Sequence, residues 1–328
     1  MDKKSIVAAL DHLALFDAYG KIRKRLANQA AIIMYHRVGP ITNDDCYLPP
    51  ITIDAFREEI EYLHKNYTII SIDTLISKMN SRQMPKNAVV ITFDDGYKDN
   101  YTYAYPILEK YGIPATIYLA TGGMDTGNLF WFDQLSYLIK NTSAKEINID
   151  GLGRYDLTSE QSRCLVARHI CETLKKKSEN EKLALIEKMK DCCQVRIPND
   201  IGFRYYLTWK EIKEMELINF GAHTVTHPIL TRMPLESAKH EIVKSKLEIE
   251  EKTGKKITSF SYPNGQIGDM NAQIIDCVKE AGFNSAVSFY PSRLISYKDD
   301  PFLLGRVWGS ELHILKMLLC GVYGDLLQ

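Results

Sequence analysis

The sequence predicts an α/β protein of parallel β/α units, closed or nearly closed into a barrel. Three observations carry this reading. Short apolar runs alternate with amphipathic helical patterns seven times from residue 31 onward, the pattern of a parallel sheet whose strands are joined by helices. Several helical patterns stop on glycine, a normal helix end. Polar residues also collect directly after the apolar runs, where barrels and open α/β sheets keep their functional groups. A doubly wound open sheet has the same periodicity and stands as the alternative.

The expected strands, in order, are 31–36 (AIIMYH), 68–72 (TIISI), 88–93 (AVVITF), 115–120 (ATIYLA), 218–223 (INFGAH), 258–263 (TSFSYP) and 284–289 (NSAVSF). Between them, 52–67 places Phe56, Ile60 and Leu63 on one helical face, with Thr52 as a candidate cap. The stretches 98–112, 234–254 and 269–282 are helical and end on glycine. Residues 124–207 break the rhythm. They hold no strong strand signal and two charged helical stretches, and we read them as a helical insertion in a barrel domain spanning 31–328. Residues 1–30 form an N-terminal extension with Ile6, Ala9, Leu10, Leu13 and Phe16 at helical spacing, followed by Lys21, Arg23, Lys24 and Arg25. This amphipathic helix is expected on the outside of the domain. Peripheral contact with an anionic membrane surface is the other reading.

Composition narrows the function classes. The chain has 328 residues, 45% hydrophobic and 25% charged, with 41 basic and 41 acidic side chains. A balanced charge argues against wholesale nucleic-acid binding. No run approaches the ~20 apolar residues of a membrane span, and residues 1–30 do not read as a signal peptide, because Asp11 and His12 interrupt the apolar segment. Seven cysteines without CxxC spacing suggest a reduced, cytoplasmic chain.

The chemistry starts at Asp94 and Asp95, two adjacent carboxylates at the end of an apolar strand. Burying such a pair is costly unless something compensates. His223 and His227, four residues apart after another strand, suit two imidazole ligands on one helical turn. With one aspartate they make a three-ligand site for Zn²⁺ or a similar divalent ion, with a position left open for water. The second aspartate is then free to act as a general base. Gly96 permits the turn that brings both carboxylates to one cavity. His36 ends the first strand, and Tyr262, Pro263, Asn264 and Gly265 end another.

The motifs TFDDGYKDN (92–100), HTVTHP (223–228) and YPNG (262–265) together resemble the polysaccharide deacetylase family, also called the NodB-homology family or carbohydrate esterase family four. The resemblance runs over about residues 31–310. It implies a deformed (β/α) barrel of about seven strands and metal-dependent hydrolysis of an N-acetyl group on a sugar. Carried over, Asp94 is the general base and Asp95, His223 and His227 hold the metal, with Thr224 supporting their loop. The third motif departs from the family's Arg-x-Pro-Tyr-Gly: the arginine is absent and Asn264 stands where the tyrosine would, leaving a backbone N–H to serve the oxyanion. Arg306 is the candidate replacement for the arginine, with a surface ion pair as the other reading. His36 is the expected general acid, as in relatives with a circularly permuted barrel that deacetylate poly-N-acetylglucosamine, and His313 is the other candidate. Tyr262, Trp308 and Trp209 are candidates for the substrate side, with core packing the alternative for the tryptophans. The implied partner is an N-acetylated carbohydrate, as a polymer or a lipid- or nucleotide-linked intermediate of cell-surface polysaccharide assembly, handled in the cytoplasm or at the inner membrane surface. An amide or imide hydrolase on a small non-sugar substrate and a non-catalytic glycan-binding barrel remain as alternatives.

Overall fold

The computed structural model describes residues 7, 10–11, 16, 28–41, 47–291 and 293–321. The barrel elements follow the alternation. Strand β1 (Ala30–Tyr35) leads to helix α1 (Ile53–Asn66), where Thr52 Oγ1 accepts the Ala55 N–H at 3.2 Å. Strand β2 is short (Thr68–Ile69), because Ser71 caps helix α2 (Ile72–Asn80) and takes Ile72 out of the expected strand. Strand β3 (Ala88–Phe93) is followed by a π-turn and helix α3 (Tyr105–Lys110), then strand β4 (Ala115–Leu119).

The region expected to be wholly helical holds helix α4 (Trp131–Asn141), an antiparallel hairpin of β5 (Glu146–Ile149) and β6 (Gly153–Asp156), and helices α5 (Glu160–Leu174), α6 (Glu179–Cys193) and α7 (Gly202–Tyr205). The hairpin escapes a periodicity reading because each strand is four residues long and its apolar face is just Ile147, Ile149 and Tyr155. These elements share an apolar cluster of their own, which reaches the barrel through Tyr97 and Ala120.

The barrel resumes with α8 (Trp209–Glu214), β7 (Ile218–Ala222), α9 (Leu235–Thr253), β8 (Ser259–Ser261), α10 (Ala272–Glu280) and β9 (Ser285–Ser288). Two further strands, β10 (Leu304–Gly305) and β11 (Val307–Trp308), precede helix α11 (Leu312–Leu319). All barrel pairings are parallel, in the order β10-β9-β8-β7-β4-β3-β1-β11, with β2 beside the start of β3. The closure is made by one segment. Leu304 and Gly305 pair with Val287 and Ser288, while Val307 and Trp308 pair with Ile33 and Met34. Arg306 therefore stands at the seam of a nearly closed barrel.

Alternation along the strands decides what faces the barrel axis. Val89, Ile91 and Phe93 pack with the outer helices, whereas Ala88 and Val90 join an inner cluster with Ile32, Tyr118 and Val287. Continuing that inner row by twos reaches Thr92 and Asp94. Of residues 1–27 only Val7, Leu10, Asp11 and Phe16 are described. Val7 and Phe16 are buried in the main core, and Asp11 pairs with Lys316 of α11 at 3.1 Å. The rest of the expected helix lies outside the described residues. Among the described residues no helix is long and apolar enough to cross a membrane.

Candidate active site

Asp94 continues the ladder of β3 by donating its N–H to Tyr35 O at 3.0 Å, so its carboxyl keeps the inward direction of Thr92. Asp95 would point the opposite way on an extended strand. Instead its backbone is left-handed, φ 71°, and Gly96 follows at φ 75°, where a Cβ would meet Met124 Cε at 2.4 Å. The turn swings both carboxylates into one cavity, and each residue is only 2% exposed.

From β7, His223 and His227 arrive by a different route from the expected helical turn. Thr224 and His227 both have left-handed backbones, φ 68° and 58°, so residues 223–227 make a tight loop. The Thr224 hydroxyl bonds within that loop, donating to His223 O and accepting the His227 N–H at 3.2 Å. Glu241 of α9 holds the loop from behind, accepting from the Val225 and Thr226 N–H groups at 2.7 and 2.8 Å. Left-handed non-glycine residues cost about 1–3 kcal/mol each, and Asp95, Thr224, His227 and Asn264 all adopt that conformation at this site.

These elements converge on one point. Asp95 Oδ1 lies 3.4 Å from His223 Nε2 and 3.3 Å from His227 Nε2, and the three ligand atoms lie within 4.8 Å of one another. Asp95 Oδ1 is buried with no hydrogen-bond partner among the described residues, which is costly for a carboxylate oxygen. His223 Nδ1 lies 2.6 Å from Ser261 O, an arrangement that places a proton on Nδ1 and directs Nε2 at the shared point as the ligand atom. Burial pushes His227 down to about 3, so its ring is neutral. Burial opposes a charge on His223, but the Asp94 and Asp95 carboxylates outweigh it and raise the ring's pKa, so a cation at this point is favoured. One carboxylate and two imidazoles form the donor set of a Zn²⁺-type site, and the residues fit such an ion.

Asp94 is held differently. Arg306, 1% exposed, forks onto it with Nη1 2.7 Å from Oδ1 and Nη2 2.6 Å from Oδ2. The same guanidinium reaches Ser261 Oγ at 3.0 Å and Thr92 Oγ1 at 3.3 Å. Burial opposes the Asp94 charge, but Arg306 and His223 outweigh it and hold the carboxyl well below the usual range. Its Oδ2 is 4.0 Å from His223 Nε2, beside the three-ligand point.

The half-buried His36 lines the same cavity, and Asn100 Nδ2 anchors its carbonyl at 2.8 Å. Asn264 lines it on a left-handed turn, with its amide bound to Asp269 at 2.6 Å. Tyr262 also reaches the lining, yet its hydroxyl is committed to Phe302 O at 3.1 Å. Three candidates are not brought into the lining. Trp308 lies against Phe289, with ring centroids 5.6 Å apart and planes at 38°, Trp209 is buried in the main core, and His313 sits on α11 beside Glu311 at 3.7 Å. Sequence reasoning missed Trp131, Phe132 and Lys175 of the 124–207 region, along with Tyr47, all of which line the cavity. No sequence signal separated them: Phe130, Trp131 and Phe132 form an aromatic run whose three members are all buried in one apolar cluster.

With this geometry in view, comparison with known proteins is informative. The model of the family described as polysaccharide deacetylase matches residues 81–153 and 155–286. The chain is 28% identical over 141 residues to the poly-beta-1,6-N-acetyl-D-glucosamine N-deacetylase of Staphylococcus aureus, a match covering 39% of this chain and 47% of that protein. It spans about half the length, or less, of the curated relatives it matches. Among solved structures, the Streptococcus pyogenes deacetylase PplD in complex with acetate superposes with a TM-score of 0.59 at 19% identity, over 88% of this chain and 98% of that one. IcaB from Ammonifex degensii gives 0.57 at 17%, over 90% and 98%. These likenesses speak for the fold, and the family match over most of the barrel speaks for descent: the chain belongs to the polysaccharide deacetylase family.

Proposed function

We propose that this chain hydrolyses the N-acetyl group of an N-acetylated sugar, in a polysaccharide or in a lipid- or nucleotide-linked intermediate of its assembly. The observation that carries this reading is the point shared by Asp95 Oδ1, His223 Nε2 and His227 Nε2, with the arginine-held Asp94 beside it. A divalent cation held by those three residues, Zn²⁺ on the evidence of the donor set, would supply Lewis-acid activation of water and of the acetyl carbonyl. Asp94 accepts the proton of the attacking water, and Arg306 keeps that carboxylate charged and aimed. The backbone N–H of Asn264 is the donor we assign to the developing oxyanion. His36 gives a proton to the departing amine, and acetate leaves. The names of the curated relatives support a glycan substrate rather than a small amide.

The test is acetate release from N-acetylglucosamine oligomers by the purified chain, with and without chelator and after Zn²⁺ add-back. Chelation should abolish release, and add-back should restore it. Asp94→Asn should lower turnover by about 10²–10⁴-fold, the usual worth of a general base, while retaining bound metal. Normal turnover by Asp94→Asn sinks the base assignment. Hydrolysis of small amides with no release from sugars sinks the substrate reading.

A further inference from the structure

The two histidines at the three-ligand point are supported unequally. His223 has its second ring nitrogen tied to Ser261 O at 2.6 Å. His227 Nδ1 is buried and has no hydrogen-bond partner among the described residues. A metal-binding histidine normally has its ring fixed through that second nitrogen, so the orientation of His227 must come from elsewhere. The first turn of α4 supplies it. Trp131 Nε1 donates to His227 O at 3.1 Å, and the Phe132 ring meets the His227 imidazole edge-on, with centroids 4.9 Å apart and planes at 75°. The peptide so held is the left-handed one at φ 58°.

Trp131 is itself supported by a charge that the hydrolysis does not use. Lys182 of α6 has a side chain only 2% exposed, paired with Glu179 Oε2 at 2.7 Å, and its Nζ lies 4.4 Å from the Trp131 ring centroid. A buried ammonium is expensive even when paired, and an indole face is the aromatic surface that attracts it most. We propose that Trp131 and Phe132, backed by Lys182, are positioning residues for His227, so that the segment between β4 and β7 sets the affinity of the metal centre. This rests on the reading of Asp95, His223 and His227 as the ligands.

Zn²⁺ affinity of the purified full chain, measured by competition with a chromophoric chelator, tests it. Trp131→Phe keeps the ring and removes the N–H donor, and should weaken Zn²⁺ binding by about tenfold, the scale of lost outer support at metal sites. Lys182→Met should weaken it by a smaller factor, and Lys182→Arg, which keeps a cation over the indole, should restore it. The melting temperature of the metal-free protein separates the roles, since mere packing would lower it without this ranking of Zn²⁺ affinities. Wild-type Zn²⁺ affinity in Trp131→Phe and Lys182→Met overturns the proposal. Should Trp131→Phe fail to fold, the Lys182 pair decides alone, and equal affinity in Met, Arg and wild type overturns it. If the wild-type chain binds no divalent ion, the metal reading fails first.

Discussion

The barrel and the 124–207 region each bury an aspartate close to the same cavity, and they do so by opposite means. Asp94 ends a barrel strand and meets a guanidinium fork, so burial is outweighed and the carboxyl stays charged. Asp133, on the first turn of α4, meets only hydroxyls. Tyr97 lies 3.1 Å from both of its oxygens, and the Tyr206 hydroxyl donates to Oδ2. Burial dominates there and pushes Asp133 up to about 7, with the tyrosine bonds and the charge of Arg37, which makes no ion pair with it, only moderating the rise. A buried carboxylate is thus reactive or structural according to whether its partner carries charge. The charged one lies beside the three-ligand point. The other ties α4 to Tyr97, just past the Asp94–Gly96 turn, and to Tyr206.

Removing the cation tests the contrast hardest. Arg306→Met leaves Asp94 buried without a counter-charge, and breaking such a pair from one side costs about 3–5 kcal/mol. Urea unfolding at neutral pH should register a loss of that size, and acetate release should collapse with it. Adding Asp94→Asn to the same chain should recover part of the stability and none of the activity. A loss below about 1 kcal/mol in the single variant would mean that the fork is not what holds Asp94.

The two regions also differ in how much of them could be read beforehand. Asp94, Asp95, His223 and His227 were legible because ionisable groups after apolar strands are too costly to be incidental. Arg306 was reachable only through the arginine missing from the YPNG motif. Its flanking strands, two residues each, have no periodicity to detect. The HxxxH spacing suggested a helical turn, and nothing local distinguishes that from two left-handed residues. Glu241 looked like one more charge on the solvated face of α9, although it holds the loop between the histidines. Trp131 and Phe132 were invisible for a related reason. Apolar residues declare burial but not what they are buried against.

A milder perturbation probes the hydroxyl side. Tyr206→Phe removes one donor to Asp133 and also the acceptor of the Phe130 N–H, which lies 2.9 Å from the Tyr206 oxygen. Leaving buried polar groups unpaired costs about 1–3 kcal/mol, less than the loss expected at Arg306. The cost should be larger at pH 8 than at pH 5, because the lost bond is stronger to an ionised carboxylate than to a neutral one. A loss equal at both values would place the Asp133 titration outside that window.

Asp133→Asn should have the smallest effect near pH 4, and the effect should grow as pH rises. The folded pKa of Asp133 is about 7 against an ordinary value of 3.8, so the folded state binds the proton more tightly. Stability from this group is complete below about 4, is lost as pH rises through about 7, and is level above. A protonated carboxyl offers one donor and one acceptor, as an amide does. The variant and the parent should therefore unfold alike near pH 4. Between pH 4 and 7 the parent should lose ground to the variant, by a fraction of the about 1.4 kcal/mol per pH unit that one proton allows. Unfolding midpoints across that range measure the gap. If it stays closed, Asp133 is ionised in the fold like Asp94, and the contrast between the two aspartates disappears.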